Sequence, residues 1–156
     1  MAKVALGTIF WGTSPGASWQ SFASYYSLER MGHDITFVNN FVFPNEHKYS
    51  MKLRALSLFR LNNKYYENTI TYIQRICKTD INKNYFTKFN GKYDCLIIGS
   101  DQTFNKFLCN DVFIKIKSNV PVFSFSSSFG LYSINNNDAV NFKNFKKISL
   151  REKSDV

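Results

Sequence analysis

Apolar residues in this chain gather in short blocks separated by glycines and polar clusters, and the spacing within each block predicts its element. Lys3 to Phe10 is an apolar run rich in β-formers and predicts a buried strand. Gly12 to Gly16, which includes Ser14-Pro15-Gly16, predicts a turn. From Ala17 to Met31 the apolar positions Trp19, Phe22, Ala23 and Tyr26 fall at helical spacing, and Gly32 stands where a helix C-terminal glycine would. Asp34 to Val38 predicts a second short strand. Strand, turn, helix, glycine stop and strand make a βαβ unit, whose strands should be parallel and joined by a right-handed crossover.

The pattern then changes. Met51, Ala55, Leu58 and Phe59 share one helical face, and Tyr66, Ile70, Ile73 and Cys77 share another. Two helices are expected between about Tyr49 and Cys77, followed by a polar connection through Asn82 and Asn84. The β pattern returns at Tyr93 to Gly99, a near-continuous apolar run suited to a central strand covered on both faces. Val120 to Phe125 predicts another strand, Asn137 to Phe145 a helix with Asp138 near its start, and Lys147 to Arg151 a last short strand. The expected fold is therefore α/β: a Rossmann-like, doubly wound, mainly parallel sheet forming one domain over 1–156, with a helical insertion at about 41–92.

Composition adds three limits. At 156 residues and 44% hydrophobic, the chain is long enough for a true core and unlike a disordered sequence. Cys77, Cys95 and Cys109 fit neither a metal-knuckle spacing nor an even disulfide framework, so free thiols in a reducing compartment are expected, and two histidines are too few for a histidine-rich metal site. No run approaches the length of a membrane span, and the N-terminus lacks the long apolar region of a signal peptide, so a cytoplasmic protein without a metal is expected. The net charge is +9, and +7 of it falls within residues 41–92. A basic insertion suits an anionic partner or is simply a solvated face. No nucleic-acid reader motif is present, so nucleic acid is not expected as the partner.

Doubly wound sheets bind ligands beyond the C-terminal strand ends, near the point where strand order reverses. Three segments qualify. Gly12 to Gly16 opens a helix, whose N-terminal amides favour phosphate or carboxylate, but the spacing matches no phosphate-loop pattern, and a plain tight turn is equally served. Gly99-Ser100-Asp101-Gln102 follows the strongest strand. Asp101 either deprotonates an acceptor hydroxyl or caps the next turn, while Ser100 and Gln102 offer groups for sugar hydroxyls or phosphate. Ser126-Ser127-Ser128 lacks the glycine elbow of a serine nucleophile, which leaves ligand hydroxyl binding or bonding to the backbone. Arg151 offers a planar fork for an anion.

Four stretches, in this order, resemble the polysaccharide pyruvyl transferase family. Ser14-Pro15-Gly16-Ala17-Ser18-Trp19-Gln20-Ser21-Phe22-Ala23 is similar to its Asn-Tyr-Gly-Ala-x-Leu-Gln-x-Tyr-Ala segment. Tyr93-Asp94-Cys95-Leu96-Ile97-Ile98-Gly99-Ser100-Asp101-Gln102-Thr103-Phe104-Asn105 resembles Tyr-Asp-x-x-Ile-x-Gly-Ser-Asp-Gln-x-Trp-Asn, and is the strongest of the four. Phe123 to Gly130 resembles Ile-x-Tyr-Ala-x-Ser-Phe-Gly, and Ile148 to Ser154 resembles Ile-Ser-Val-Arg-Glu-Lys-Ser. The chain departs from the pattern at Ser14 (for Asn), Trp19 (for Leu), Phe22 (for Tyr), Phe104 (for Trp), Ser126 (for Ala) and Asp155 (for Gly).

The resemblance implies the N-terminal lobe of a two-lobed enzyme like the glycosyltransferase-B fold, with the C-terminal lobe absent from this chain. It implies transfer of a pyruvyl group from phosphoenolpyruvate, a donor substrate and not a cofactor, to a sugar of a surface polysaccharide or its lipid-linked precursor. Asp101 would be catalytic, and Ser14, Gly16, Gln20, Ser100, Gln102, Ser128 and Arg151 would bind substrate. The expected partners are a glycan acceptor, a C-terminal partner chain or a second copy, and a peripheral contact with the inner face of the membrane. A non-catalytic sugar- or nucleotide-binding module is the alternative, to be distinguished by affinity without turnover.

Overall fold

The structure is a computed structural model, and it describes residues 1–8, 15–38, 71–72, 75–80, 91–101, 103–104, 118–130, 140 and 142–151. Its elements are β1 (Lys3–Gly7), α1 (Pro15–Arg30), β2 (Asp34–Val38), β3 (Thr79–Asp80), β4 (Cys95–Asp101), β5 (Val122–Ser127) and β6 (Phe145–Leu150), with a 3-10 turn at Phe142–Asn144 before β6. The six strands form one sheet in the order β3-β2-β1-β4-β5-β6, and every pairing is parallel. Strand order reverses between β1 and β4, because β2 and β3 lie to one side of β1 and β4 to β6 to the other. The expected parallel α/β sheet is what the chain forms.

Helix α1 packs on the sheet through small residues first and large ones later. Ala17, Ser18 and Ser21 are buried in its first half and Tyr25 in its second. Small side chains let the helix approach closely where it opens. Tyr25 then stacks on Phe37 of β2 with ring centroids 5.1 Å apart, and its hydroxyl accepts the Lys78 N–H at 3.1 Å. Gly32, at φ 86°, ends the helix, and the Gly32 N–H donates to the Glu29 carbonyl at 2.9 Å. Val4, Leu6, Ile35, Phe37, Leu96, Ile98 and Val122 fill the core on the two sides of the sheet. Phe104, fully buried, meets Phe129, Phe142 and Phe145 at centroid distances of 5.1 to 5.6 Å and anchors the β4–β6 end.

Several expectations shift. The helix expected over Asn137 to Phe145 is not continuous: Val140 is helical, but Phe142–Asn144 is a 3-10 turn and Phe145 already pairs with Val122 as the first residue of β6. Burying Phe145 against the phenylalanine cluster favours the strand there. Strands β4 and β5 each run two residues beyond the apolar blocks, because the polar tails Ser100-Asp101 and Ser126-Ser127 continue the ladder. Strand β1 closes at Gly7. The edge strand β3, paired with β2 at Phe37↔Thr79 and Val38↔Asp80, falls where a polar connection was expected. Residues 71–72 and 75–76 are helical, in keeping with the second helix of the insertion, whose remainder lies outside the described residues.

The aromatic stripe on α1 is also not its buried flank. Trp19 is 66% and Tyr26 48% exposed, and Phe22 is half-buried. The inward positions are Ser18, Ser21, Tyr25 and Leu28, which share the helical period but one residue out of phase with the aromatics.

Candidate functional site

Parallel strands place all their C-terminal ends on one edge, and the reversal of order between β1 and β4 opens a crevice there. Thr8 follows β1 and is fully buried against α1. The Ser21 hydroxyl donates to the Ala17 carbonyl at 2.8 Å, so at 3.1 Å from Thr8 it is the Thr8 hydroxyl that donates to Ser21. This buried pair ties the end of β1 to the first turns of the helix and fixes where the helix N-terminus opens. Gly16 lies exposed in that first turn. Gln20 is exposed too, and its backbone carbonyl accepts the Ser24 hydroxyl at 2.9 Å.

Gly99 is shaped by its neighbour strand. A Cβ there would stand 1.9 Å from the Phe125 carbonyl oxygen, a backbone atom that cannot swing aside. The cause is a bulge in β5. Four residues, Ser124 to Ser127, oppose three in β6, Ile148 to Leu150, and Ser126 takes a left-handed φ of 53°. The bulge turns the Phe125 carbonyl toward β4, and only glycine leaves it room. Residues 99–101 then finish β4, with Asp101 paired to Ser127.

The same bulge gathers a buried cluster of hydroxyls. Ser124 and Ser127, three residues apart, come onto one side with their oxygens 3.0 Å apart, and Thr103 donates to Ser127 at 2.8 Å. The Phe104 N–H donates to the Ser128 carbonyl at 3.2 Å, and the Arg151 N–H to the Ser127 carbonyl at 2.9 Å. Ser127 and Ser128 therefore stitch together the chain leaving β4, β5 and β6. Ser128 itself is fully buried, and its hydroxyl accepts the Gly130 N–H at 2.9 Å, so its side chain holds the turn behind the rim. Buried hydroxyls that are mutually satisfied make a stiff support.

The topology thus brings Gly16, Ser100, Asp101, Ser128 and Arg151 to one edge, with Gln20 a turn further along α1. Ser14 and Gln102 lie outside the described residues, as do the side chains of Ser100 and Asp101. Thr8, Ser21 and Thr103 were not anticipated as part of the site. Their one sequence signal is that small polar residues recur next to strand ends. Among the described residues no group of three or more His, Cys, Asp or Glu could hold a metal. Cys77 and Cys95 are free, and burial raises both thiols, Cys77 to about 11, which keeps them protonated and inert at neutral pH.

A hollow of about 420 Å³ lies along the β1–β2–β3 flank, lined in part by Lys3, Asp34, Lys78, Asp80, Lys92 and Tyr93. Its carboxylates are engaged: Lys78 pairs with Asp34, while Lys92 and the Tyr93 hydroxyl meet Asp80. These contacts bind β3 to the sheet.

A family model, described as polysaccharide pyruvyl transferase, matches residues 15–155. The chain belongs to the polysaccharide pyruvyl transferase family. No curated protein and no solved structure matches it clearly. The matched span takes in α1 and the rim segments at the ends of β4, β5 and β6, and Gly99-Ser100-Asp101 is the end of β4 beside the crevice. No helix among the described residues is long and apolar enough to cross a membrane.

Proposed function

We propose that the chain is the N-terminal lobe of a pyruvyl transferase that moves the pyruvyl group of phosphoenolpyruvate onto a sugar of a surface polysaccharide or its lipid-linked precursor. The observation that carries this reading is the family match over residues 15–155, whose motifs converge on the C-terminal rim of a parallel sheet. The chemistry has simple requirements. Two sugar oxygens join C2 of the enol, phosphate leaves, and C3 gains a proton to become methyl. Two hydroxyl protons are released and one is taken up by C3, the other leaving with phosphate. Asp101 takes the first hydroxyl proton. The first turn of α1, with Gly16 and Ser14, and the Arg151 fork suit the phosphate and carboxylate of the donor. Ser100, Gln102 and Gln20 hold hydroxyls, with Ser128 as the support beneath them. A second lobe, from a partner chain or a second copy, closes the cleft, and the basic 41–92 segment faces the anionic carrier at the membrane.

The test is incubation of the full chain, alone and with a C-terminal lobe of the same family, with phosphoenolpyruvate and oligosaccharide acceptors. Phosphate release matched by acid-labile pyruvate on the glycan is the expected result, lost at least about a hundredfold in Asp101→Asn. Glycan binding with no release of phosphate in any combination would replace this reading with the non-catalytic sugar-binding module.

A further inference from the structure

Trp19 stands out as a large apolar side chain that the core does not use. It is 66% exposed, while Ser18 and Ser21 on the adjoining flank are buried. It is nonetheless held. The Phe22 ring meets it edge-on, with centroids 6.3 Å apart at 81°; Phe22 stacks on Tyr26 at 6.2 Å and 13°; and the Arg30 guanidinium caps Tyr26 at 5.7 Å. Each ring is braced by the next, so the indole loses little freedom when something covers it.

Its position matters as much as its exposure. Trp19 sits one turn into α1, whose N-terminus opens on the C-terminal rim, and helical side chains lean toward the N-terminus, which tips the indole back to that rim. Gln20 beside it is exposed and offers an amide, and the small, exposed Ala23 one turn on leaves open space below. At this position the family pattern carries leucine, so an indole here is a feature of this chain and not of the shared transfer chemistry.

We infer that Trp19 is a stacking platform for a pyranose ring of the acceptor glycan, a specificity-determining contact that rests on the transferase reading above. The chemistry of the two surfaces is complementary. One face of a pyranose presents C–H bonds with partial positive hydrogens, and the indole face carries negative π density. The same density repels phosphate and carboxylate, so the platform takes the neutral sugar and leaves the anionic donor to the rim. Gln20 then reaches the ring's hydroxyls from the side.

The test uses the full-length chain with Trp11→Phe, which leaves Trp19 as the only indole. Methyl pyranosides of glucose, galactose and mannose are titrated against its emission, with sorbitol as the open-chain control, and affinities are measured by calorimetry. A saturable change with at least one pyranoside and none with sorbitol is expected. Trp19→Ala should weaken that sugar about tenfold, and Trp19→Phe should restore most of the loss. Equal affinity in Trp19→Ala, or an emission that responds to no pyranoside but shifts with anionic phospholipid vesicles, overturns the inference, the latter result making the aromatic ladder a membrane surface. The two readings fail separately. Trp19-dependent sugar binding without any pyruvyl transfer removes the transferase and keeps the platform; transfer with an unchanged acceptor KM in Trp19→Ala does the reverse.

Discussion

The β1–β2–β3 flank of this sheet and its C-terminal rim solve the same problem in opposite ways. Along the β1–β2–β3 flank, from the N-terminal ends of β1 and β2 to Asp80 beside Val38, the strands are tied together by charges in contact with water: Lys78 with Asp34, Lys92 with Asp80, and the Asp94 carboxylate on the Lys3 N–H at 2.7 Å. At the C-terminal edge the ties are neutral and buried: Thr8 with Ser21, Thr103 with Ser127, and Ser124 with Ser127. Exposed ion pairs hold weakly and give way to salt, whereas a satisfied buried hydroxyl network is costly to break and keeps its geometry. An edge that must present groups to a ligand in fixed positions gains from the second arrangement. A flank that only closes the fold can use the first.

The sharpest way to break the contrast is Gly99→Ala. The added methyl meets the Phe125 carbonyl, so β4 and β5 must part, and a loss of about 3 kcal/mol or more is expected in denaturant melts. Gly32→Ala, where nothing lies within 4 Å and only the left-handed φ opposes the change, should cost about 1 kcal/mol. If the two variants melt alike, the close approach at the rim is not what constrains β4. Ser127→Ala comes next. It leaves Thr103 and Ser124 without their shared oxygen, and about 1–3 kcal/mol should be lost, with little dependence on salt. Asp34→Asn should give the smallest change, one that disappears in high salt. A salt-sensitive Ser127→Ala or a salt-insensitive Asp34→Asn would dissolve the distinction between flank and rim.

Much of the fold can be read in the chain, and the gaps have definite causes. Strands β1, β2, β4 and β5 are apolar blocks because a parallel sheet covered on both faces buries both sets of side chains. Thr79–Asp80 has no such block; it is an edge strand paired to Phe37 and Val38, whose place in the chain is far from its own, and held by Lys92 and Tyr93 against Asp80. In α1 the period is correct but the phase is not. Hydrophobicity points to Trp19 and Tyr26, while close packing on the sheet selects Ala17, Ser18 and Ser21 for their size. Phe142 and Phe145, three apart, suit one face of a helix, and only the cluster around Phe104 shows that Phe145 is taken into a strand instead. At the site, the position of Asp101 on the rim follows from strand order. The reason for Gly99 does not, because a glycine before Ser-Asp reads equally as room for a ligand and as room for a neighbouring carbonyl.

The central claim is that the C-terminal rim is the working edge of the sheet. Amide hydrogen exchange of the full chain, with and without saturating phosphoenolpyruvate, tests it directly. The account predicts slowed exchange at Gly16 to Ala17, Gly99 to Asp101, Ser127 to Ser128 and Arg151, and no change at Lys78 to Asp80 or Lys92 to Asp94. Protection confined to the lysine-lined hollow along β2 and β3 would contradict it.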